Sequence, residues 1–599
     1  MKLAKKCLFS VTSVVVLVTQ VALVAGQSHR RRGKQQANLN DERRQEEEIL
    51  ELRKLFNVYS KWKEFIRPQA ATMQGKKGDY TKRLDEVSIE DLTKRRNITQ
   101  HFLDEAETFN LPISPRLDRV SLLVLKNELQ NFIKHFDSQQ FVFSVSQIAN
   151  YHQLFRETVA TALLDEEQDY WNLLIRYRSF PKQLEDLTQL LRIGIERNLT
   201  EHRIAIDYVI AQLDAMKKPA DESNEFFRIF LNITTTNGNT NNSIPEEQKV
   251  KLREAAVEAI TESINPALEN FKAFLVQEYL PACRPEIALS SLEGGRERYQ
   301  VVQDLGFGNI TVSAFSEILR NDPKNFFDNS SELLESFRRI TFEEIEPRLP
   351  QLFQTIPKQN VSITMNPTPG GYMIRYSAGN AVRPGLLIIN ESRFKFMSRF
   401  GMKTMALHEG NPGHHFHFAL NQELPVPSFR LSYSPDTSFA PAASLVAFTE
   451  GWGLYAESLG EDLGIYESDP LGRFGRLSAE QHRAVRLVVD TGIHALGWSR
   501  DRAISFMLDH LAMAKANIKV ELDRHIGLPG QACSYKIGEM KIQELRRKSQ
   551  KILGDQFNIK HFHSIVLQCF APLDVLTECI EQYLKQRVSE IIRGKESDT

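Results

Sequence analysis

The stretch "MALHEGNPGHHFHFAL" (residues 405–420) holds four of the chain's fifteen histidines within ten positions. A His-Glu pair in an apolar helical setting is the opening of the pattern H-E-x-x-H, in which two histidines one turn apart bind zinc and the Glu activates water. Pro412 stands where the second His is expected, and His414 and His415 come two and three positions late. In an unbroken helix His414 would lie about 240° round from His408, and His415 about 10 Å along it, too far for one metal. A break is therefore required. Pro removes a ladder hydrogen bond and Gly tolerates unusual dihedrals, so a two-residue bulge at Pro412-Gly413 would bring His414 to the place of the second His. The competing reading is that Gly410-Asn-Pro-Gly413 ends one helix and starts another around ordinary core histidines.

A second segment weighs against a purely structural reading. "AFTEGWGLYAESLG" (447–460) places Glu450 and Glu457 seven apart on one face of a largely apolar helix. Burying those carboxylates without partners costs several kcal/mol, whereas a metal and its histidines supply partners. Two histidines and one glutamate leave a fourth position open, the arrangement of a catalytic rather than a structural zinc site.

The rest of the 599-residue chain bounds what such a site serves. With 42% hydrophobic and 25% charged residues it is an ordinary globular protein of more than one core unit. Its 75 basic and 76 acidic residues give a net charge of -1, so no overall field draws it to nucleic acid or anionic lipid. Residues 1–26 read as an export signal: Lys2, Lys5 and Lys6, then an apolar run to Ala25, with cleavage placed after Gly26. A retained anchor is the alternative, disfavoured by the polar residues Ser10, Thr12, Ser13, Thr19 and Gln20. Eight N-x-Ser/Thr sequons, at Asn97, Asn198, Asn232, Asn241, Asn309, Asn329, Asn360 and Asn390, fit a glycoprotein on a secretory route, destined for the extracellular space or a secretory-lysosomal lumen. After signal removal no segment is expected to span a membrane. Of the four remaining cysteines, Cys283, Cys533, Cys569 and Cys579 allow two disulfides. Cys533 and Cys569, in apolar helical contexts, read as buried thiols and not as nucleophiles.

Helical periodicity dominates residues 50–346, with a kink expected at Pro266 and a polar loop at 234–243. Only residues 359–391 alternate in strand fashion. "VSITMNP" and "GYMIRYSAG" around Pro367–Gly371 read as a hairpin and "PGLLIIN" as a third strand. A sheet edge beside the His-Glu helix would suit an extended peptide bound by strand addition. The expected organisation is a signal peptide (1–26), an N-terminal helical region (27–345) and a catalytic region with the sheet and zinc-site helices (346–599).

"HEGNPGHH", "FTEGWGLYAESLG", "IGLPGQACSYKIGEMKIQELR" (526–546), "LEGGRERYQ" (292–300) and "HSIVLQCFAPLDVLTECI" (563–580) together resemble the landmarks of the secreted and periplasmic family of the domain of unknown function 885, across nearly the whole mature chain. The resemblance implies kinship with zinc metallopeptidases of the H-E-x-x-H type. The implied fold is mainly helical and two-lobed, with a deep cleft and a small sheet beside the active-site helix. It implies His408, His414 and Glu450 as zinc ligands and Glu409 as the base that deprotonates the attacking water, with His415 as the alternative ligand. Glu457 is expected to hold a ligand's second nitrogen or a neighbouring cation. Among the polar groups of the later helices (His494, Arg500, Arg502, Gln531, Tyr535 and Lys536), Tyr535 and His494 are the oxyanion candidates. Lys536 or Arg500 would read a substrate carboxylate. The expected function is a secreted zinc-dependent peptidase, an exopeptidase or oligopeptidase of carboxypeptidase-like type, acting on peptides and not on nucleic acid. A catalytically silent binding protein and a metal-dependent amidase on a non-peptide substrate are the alternatives.

Overall fold

The structure is a computed structural model that describes residues 39–109, 117–146, 150–233, 244–287, 323–366, 373–380, 383–431, 443–511, 513 and 515–597. The expected signal segment, the polar loop at 234–243 and the landmark at 292–300 lie outside the described residues. Among the described residues the chain is mainly helical with one three-stranded sheet. Among the described residues no helix is long and apolar enough to cross a membrane.

Among the described residues two large apolar cores organise the helices. Helices α1 (Leu39–Ile66), α2 (Ile89–Glu107) and α3 (Leu117–Asp137) share the first core with residues 327–584. Tyr59 of α1 packs edge-on against both Phe102 and Phe429, tying the first helices to the C-terminal half. The second core is drawn from residues 84–279 around α4 (Glu167–Glu196), whose Tyr170, Tyr177 and Phe180 are buried. Burial of such aromatic faces supplies most of the favourable folding term. Pro181 lies inside α4 without ending it.

Proline shapes the remaining long helices by a consistent device. The segment 246–282 runs on through Pro266 and Pro281, and each proline follows a π-turn, at Ile260–Ile264 and Leu275–Tyr279. A third π-turn, Ile340–Ile345, precedes Pro347. Proline lacks an N–H, and its ring collides with the carbonyl four residues back. That carbonyl belongs to Glu262, Gln277 or Glu343, each within the widened turn, which makes the space.

The sheet differs from the expected hairpin. Strands β1 (Val361–Asn366), β2 (Ile374–Ser377) and β3 (Gly385–Asn390) lie in the order β1-β3-β2. β3 pairs with β1 in parallel and with β2 antiparallel. The continuous apolar run "GLLIIN" suits the middle strand, whereas "VSITMN" alternates as an edge does. The segment 367–372, where a β1–β2 turn was expected, lies outside the described residues.

Cys569 and Cys579 form a disulfide, so Cys569 is not the buried thiol expected, while Cys533 is free and buried and Cys283 is free. Five sequon asparagines, Asn97, Asn198, Asn232, Asn329 and Asn360, are exposed. Asn390 is buried and its side chain accepts from Ser392 N, so the folded chain has no room for a glycan there.

A close helix crossing joins α7 (Ala443–Asp462) to α10 (Gln531–Leu553), between which the chain runs through α8 (Pro470–His494), the helix Arg500–His510 and α9 (Lys515–Gly527). A Cβ on Gly538 would lie 1.8 Å from the Ala447 carbonyl, and one on Gly451 would lie 2.4 Å from Gly538 Cα. Backbone meets backbone there, and no side chain can yield. Gly538→Val is expected to destabilise the protein by more than the ~1–3 kcal/mol typical of an overpacked core, read as a lower urea midpoint at unchanged slope.

Candidate metal centre

Helix α5 (Met402–Glu409) and helix α6 (His414–Glu423) are separate, so the bulge within a single helix is replaced by a true break. Gly410 N donates to Ala406 O, closing the first helix, and His417 N donates to Gly413 O, opening the second. Asn411–Pro412 is a cis peptide. The turn is pinned from two sides: Trp452 Nε1 donates to Pro412 O (2.8 Å) and Asn411 Nδ2 to Glu346 Oε1 (2.9 Å). A Cβ on Gly413 would sit 1.9 Å from His408 O, so only glycine lets the chain fold back this tightly.

The fold-back brings together the residues that the sequence sets apart. His408 Nε2 and His414 Nε2 lie 3.4 and 3.3 Å from one oxygen, Glu450 Oε2. That oxygen is sealed from solvent and makes no hydrogen bond of good geometry to either ring. A tetrahedral zinc with N and O ligands at about 2.0–2.1 Å separates neighbouring ligand atoms by roughly 3.3–3.4 Å, so the donor spacing fits that ion. Glu409 also offers an oxygen within 4.8 Å of donor atoms on His408 and His414. The shorter spacing at Glu450 makes Glu450 the better third ligand and leaves Glu409 beside the centre.

Behind the centre, His408 Nδ1 lies 2.8 Å from Glu457 Oε1, which also accepts from Arg483 Nη2 (2.9 Å). Glu457, expected at one or other of two places, lies against the second ring nitrogen of His408 and also pairs with the Arg483 cation. Burial disfavours a charged His408, but contacts with Glu450 and Glu457 prevail and raise its pKa to about 9. Burial opposes ionisation of Glu450 as well, yet the two histidines hold its carboxyl well below the usual range. Burial pushes the Glu409 carboxyl up, against the pull of His414 and His408. The carboxylates require positive charge at this point, and a divalent cation meets that requirement as a protonated imidazole does.

A cavity of about 490 Å³ opens on this cluster, lined by His408, Glu409 and Tyr535, by Ile374 and Arg375 of β2, and by Arg483 and Arg486 of α8. The Tyr535 ring lies nearly parallel to that of His408 at 6.2 Å, and its hydroxyl accepts from Arg524 Nη2 (3.0 Å).

Several expected residues lie elsewhere. His415 turns away, with Nε2 donating to Gln359 O (2.9 Å) and Nδ1 3.2 Å from Tyr376 Oη, and its burial lowers its pKa to about 4. His494 is a satisfied core residue whose Nε2 donates to His525 O (2.9 Å), and it does not line the cavity. Lys536 is held between Glu480 and Glu539, and Arg500 by Asp523. Neither lines the cavity, so neither is placed to read a substrate carboxylate there. Arg483, Arg486 and Arg524 occupy the cavity wall instead. For Arg483 and Arg486 the signal in the sequence, "HRAVRLVVD" (482–490), shows cations and an acid on the apolar helix α8, which reads by default as a solvated face.

In architecture this is a helical protein with a small mixed sheet beside a His2Glu cluster. The chain belongs to the family described as bacterial protein of unknown function (DUF885), whose pattern matches residues 68–303 and 300–580. Its structure is similar to that of a lipoprotein candidate from Colwellia psychrerythraea (TM-score 0.80, 23% identity, covering 90% of this chain and 99% of that one). It is also similar to a lipoprotein candidate of unknown function from Shewanella oneidensis (TM-score 0.61, 15% identity, covering 89% and 99%). No curated protein matches the sequence.

Gly453, one turn along from Glu450, leaves the space that His408 fills: a Cβ there would lie 2.7–3.0 Å from three atoms of the imidazole ring. Glu457 and Glu450 hold that ring from two sides. Gly453→Ala is therefore expected to weaken zinc binding on the order of 10–100-fold, the usual effect of disturbing a ligand's support, while leaving the thermal midpoint within a few degrees. Competition with a chelating dye checks the first expectation and calorimetry the second.

Proposed function

We propose that the protein is an extracytoplasmic zinc-dependent hydrolase that cleaves peptides. The observation that carries the reading is the convergence of His408 Nε2 and His414 Nε2 on Glu450 Oε2 at 3.4 and 3.3 Å, from three separate helices. Bound there, zinc would act as a Lewis acid toward the scissile carbonyl and the attacking water.

The chain's own residues supply the remainder. Glu409, buried at the cavity wall beside the cluster, takes the proton from the attacking water and returns it to the leaving amine. Tyr535 Oη already accepts from Arg524, which leaves the hydroxyl proton to donate to the developing oxyanion. Glu457 and Arg483 hold the His408 ring in place without touching substrate. β2 has β3 on one side and, among the described residues, ends the sheet on the other. Its Ile374 and Arg375 line the cavity, so its edge suits an extended main chain. Export is supported by the basic-apolar N-terminal segment and by relatives named as lipoprotein candidates.

Metal analysis of protein prepared without chelator is expected to find about one zinc per chain. His408→Ala and Glu450→Ala should lose it. Glu409→Gln should keep zinc and fold while losing peptide hydrolysis by on the order of 10²–10⁴-fold. A chain that carries no metal, or a Glu409→Gln variant with near-full turnover, is incompatible with the proposal.

A further inference from the structure

Helix α5 divides its faces between the core and the cavity. Ala406 and Leu407 are fully buried in the first core. Met402, Met405 and Glu409, with Thr404 and His408 beside them, line the cavity, at the three- and four-residue spacing that places side chains on one helix face. The helix therefore presents the candidate ligand and the candidate base at its C-terminal end, and a methionine one turn earlier. Met405 is only partly buried.

The sheet divides in the same way. Leu387 and Ile389 of β3 are fully buried in the core, so Ile388 between them points to the opposite face, and it lines the cavity. Register sets Arg375 across from Ile388, and Asn390 N donates to Met373 O, which carries the pairing one residue further. Met373 therefore shares the face of Arg375 and Ile388. Met373 and Ile388 are, like Met405, only partly buried, and Phe396, which also lines the cavity, is 45% exposed. Arg375, the charged neighbour on this face, is paired with Glu157 (3.4 Å).

Aliphatic and thioether side chains in a concave wall discriminate by polarity. They offer neither a donor nor a strong acceptor, so a polar side chain pressed against them loses water without gaining a partner. An apolar side chain instead removes apolar surface from water on both partners. Methionine, unbranched and polarizable, shapes itself to what it meets. The helix also fixes how far this surface lies from the reacting centre: Met405 precedes His408 and Glu409 by three and four residues, an axial separation of about 4.5–6 Å. An extended chain advances about 3.3–3.6 Å per residue, so the side chain that meets Met405 belongs to one of the first two residues beside the bond that is cut.

We propose that Met405, Met373 and Ile388 form a subsite that selects peptides with a large apolar side chain within two residues of the cut bond. This rests on the hydrolase reading for the position of the bond, but the recognition itself is testable without turnover. The full mature chain, held in chelator so that nothing is cleaved, is titrated calorimetrically with two probes of nearly equal side-chain shape, acetyl-Ala-Leu-Ala amide and acetyl-Ala-Asn-Ala amide. The leucine probe is expected to bind about ten-fold or more tightly, the worth of burying one such side chain. Met405→Gln, which keeps the length of the side chain, and Ile388→Thr, which keeps its β-branch, should each reduce that preference by about three-fold or more. Two variants on different elements guard against one that fails to fold. Equal binding of the two probes, no binding of the leucine probe at millimolar concentration, or a preference unchanged in a folded variant would overturn the proposal. With zinc restored, alanine peptides carrying one leucine at successive positions should be cut at a bond that moves with the leucine; a cut that ignores it would overturn the proposal as well. Leucine-selective binding without any cleavage would instead sink the hydrolase reading and leave the subsite standing, so the two fail separately.

Discussion

The backbone contact between α7 and α10 at Gly451 and Gly538 sets the position of nearly everything else in the site. With no Cβ between them at Gly451 and Gly538 the two helices meet backbone to backbone, and each then presents its neighbouring residues to the same space. Glu450 comes from one side of that crossing and Tyr535 from the other. Gly453, two residues past the crossing, leaves the hollow into which the His408 ring fits. Within "TEGWG", Glu450 faces the two histidines, Gly451 makes the helix contact, Trp452 anchors the turn and Gly453 leaves room for His408. Trp452, the anchor, is fully buried and fixes the turn at Pro412 through its indole N–H. A residue with a side chain at either glycine would move a helix or a histidine.

Charge is layered around that crossing. The innermost carboxylate, Glu450, faces two imidazoles. The next, Glu457, is shared by His408 and Arg483, and Glu521 beyond is shared by Arg486, His525 and Arg524. Buried ion pairs of this kind contribute little net stability, because desolvation cancels most of the attraction. Their value lies in geometry: each charge is held by two partners from different helices, which orients the rings and guanidinium groups facing the cavity. The stability that tolerates such a polar interior comes from the two aromatic and aliphatic cores on either side.

How far the sequence discloses this depends on whether the information is local. The helical character, the short sheet region and the gathering of His408, His414 and Glu450 rest on periodicity and on acids placed in an apolar helix, and each leaves a mark within a few residues. The break between α5 and α6 was legible as either a bulge or a helix end. Both alternatives allow the histidines to meet, so pattern alone did not decide between them. The strand order escaped because pairing is non-local, although the unbroken apolar run of β3 does mark a central strand. The arginine wall escaped for a different reason. Arg483 and Arg486 look like the solvated side of an amphipathic helix until α9 and α10 cover them, and covering is a tertiary event. His494 was misread for the converse reason, since a backbone carbonyl, invisible in any motif, satisfies it.

Drawing the three donors from three helices has a further physical consequence. In an unbroken H-E-x-x-H helix two ligands share one element and stay near one another even when tertiary contacts loosen. Here His408 and His414 stand on either side of a break, and their spacing depends on Trp452 holding the turn and on Glu450 arriving from α7. The donor set therefore exists only in the packed protein, and the unfolded chain offers no comparable site. A cation bound by that set stabilises the native state by the full linkage free energy, rising with free metal concentration relative to the dissociation constant. The same dependence runs in reverse: loosening the α7–α10 crossing would separate the donors without altering any of them, so site and fold behave as one cooperative unit.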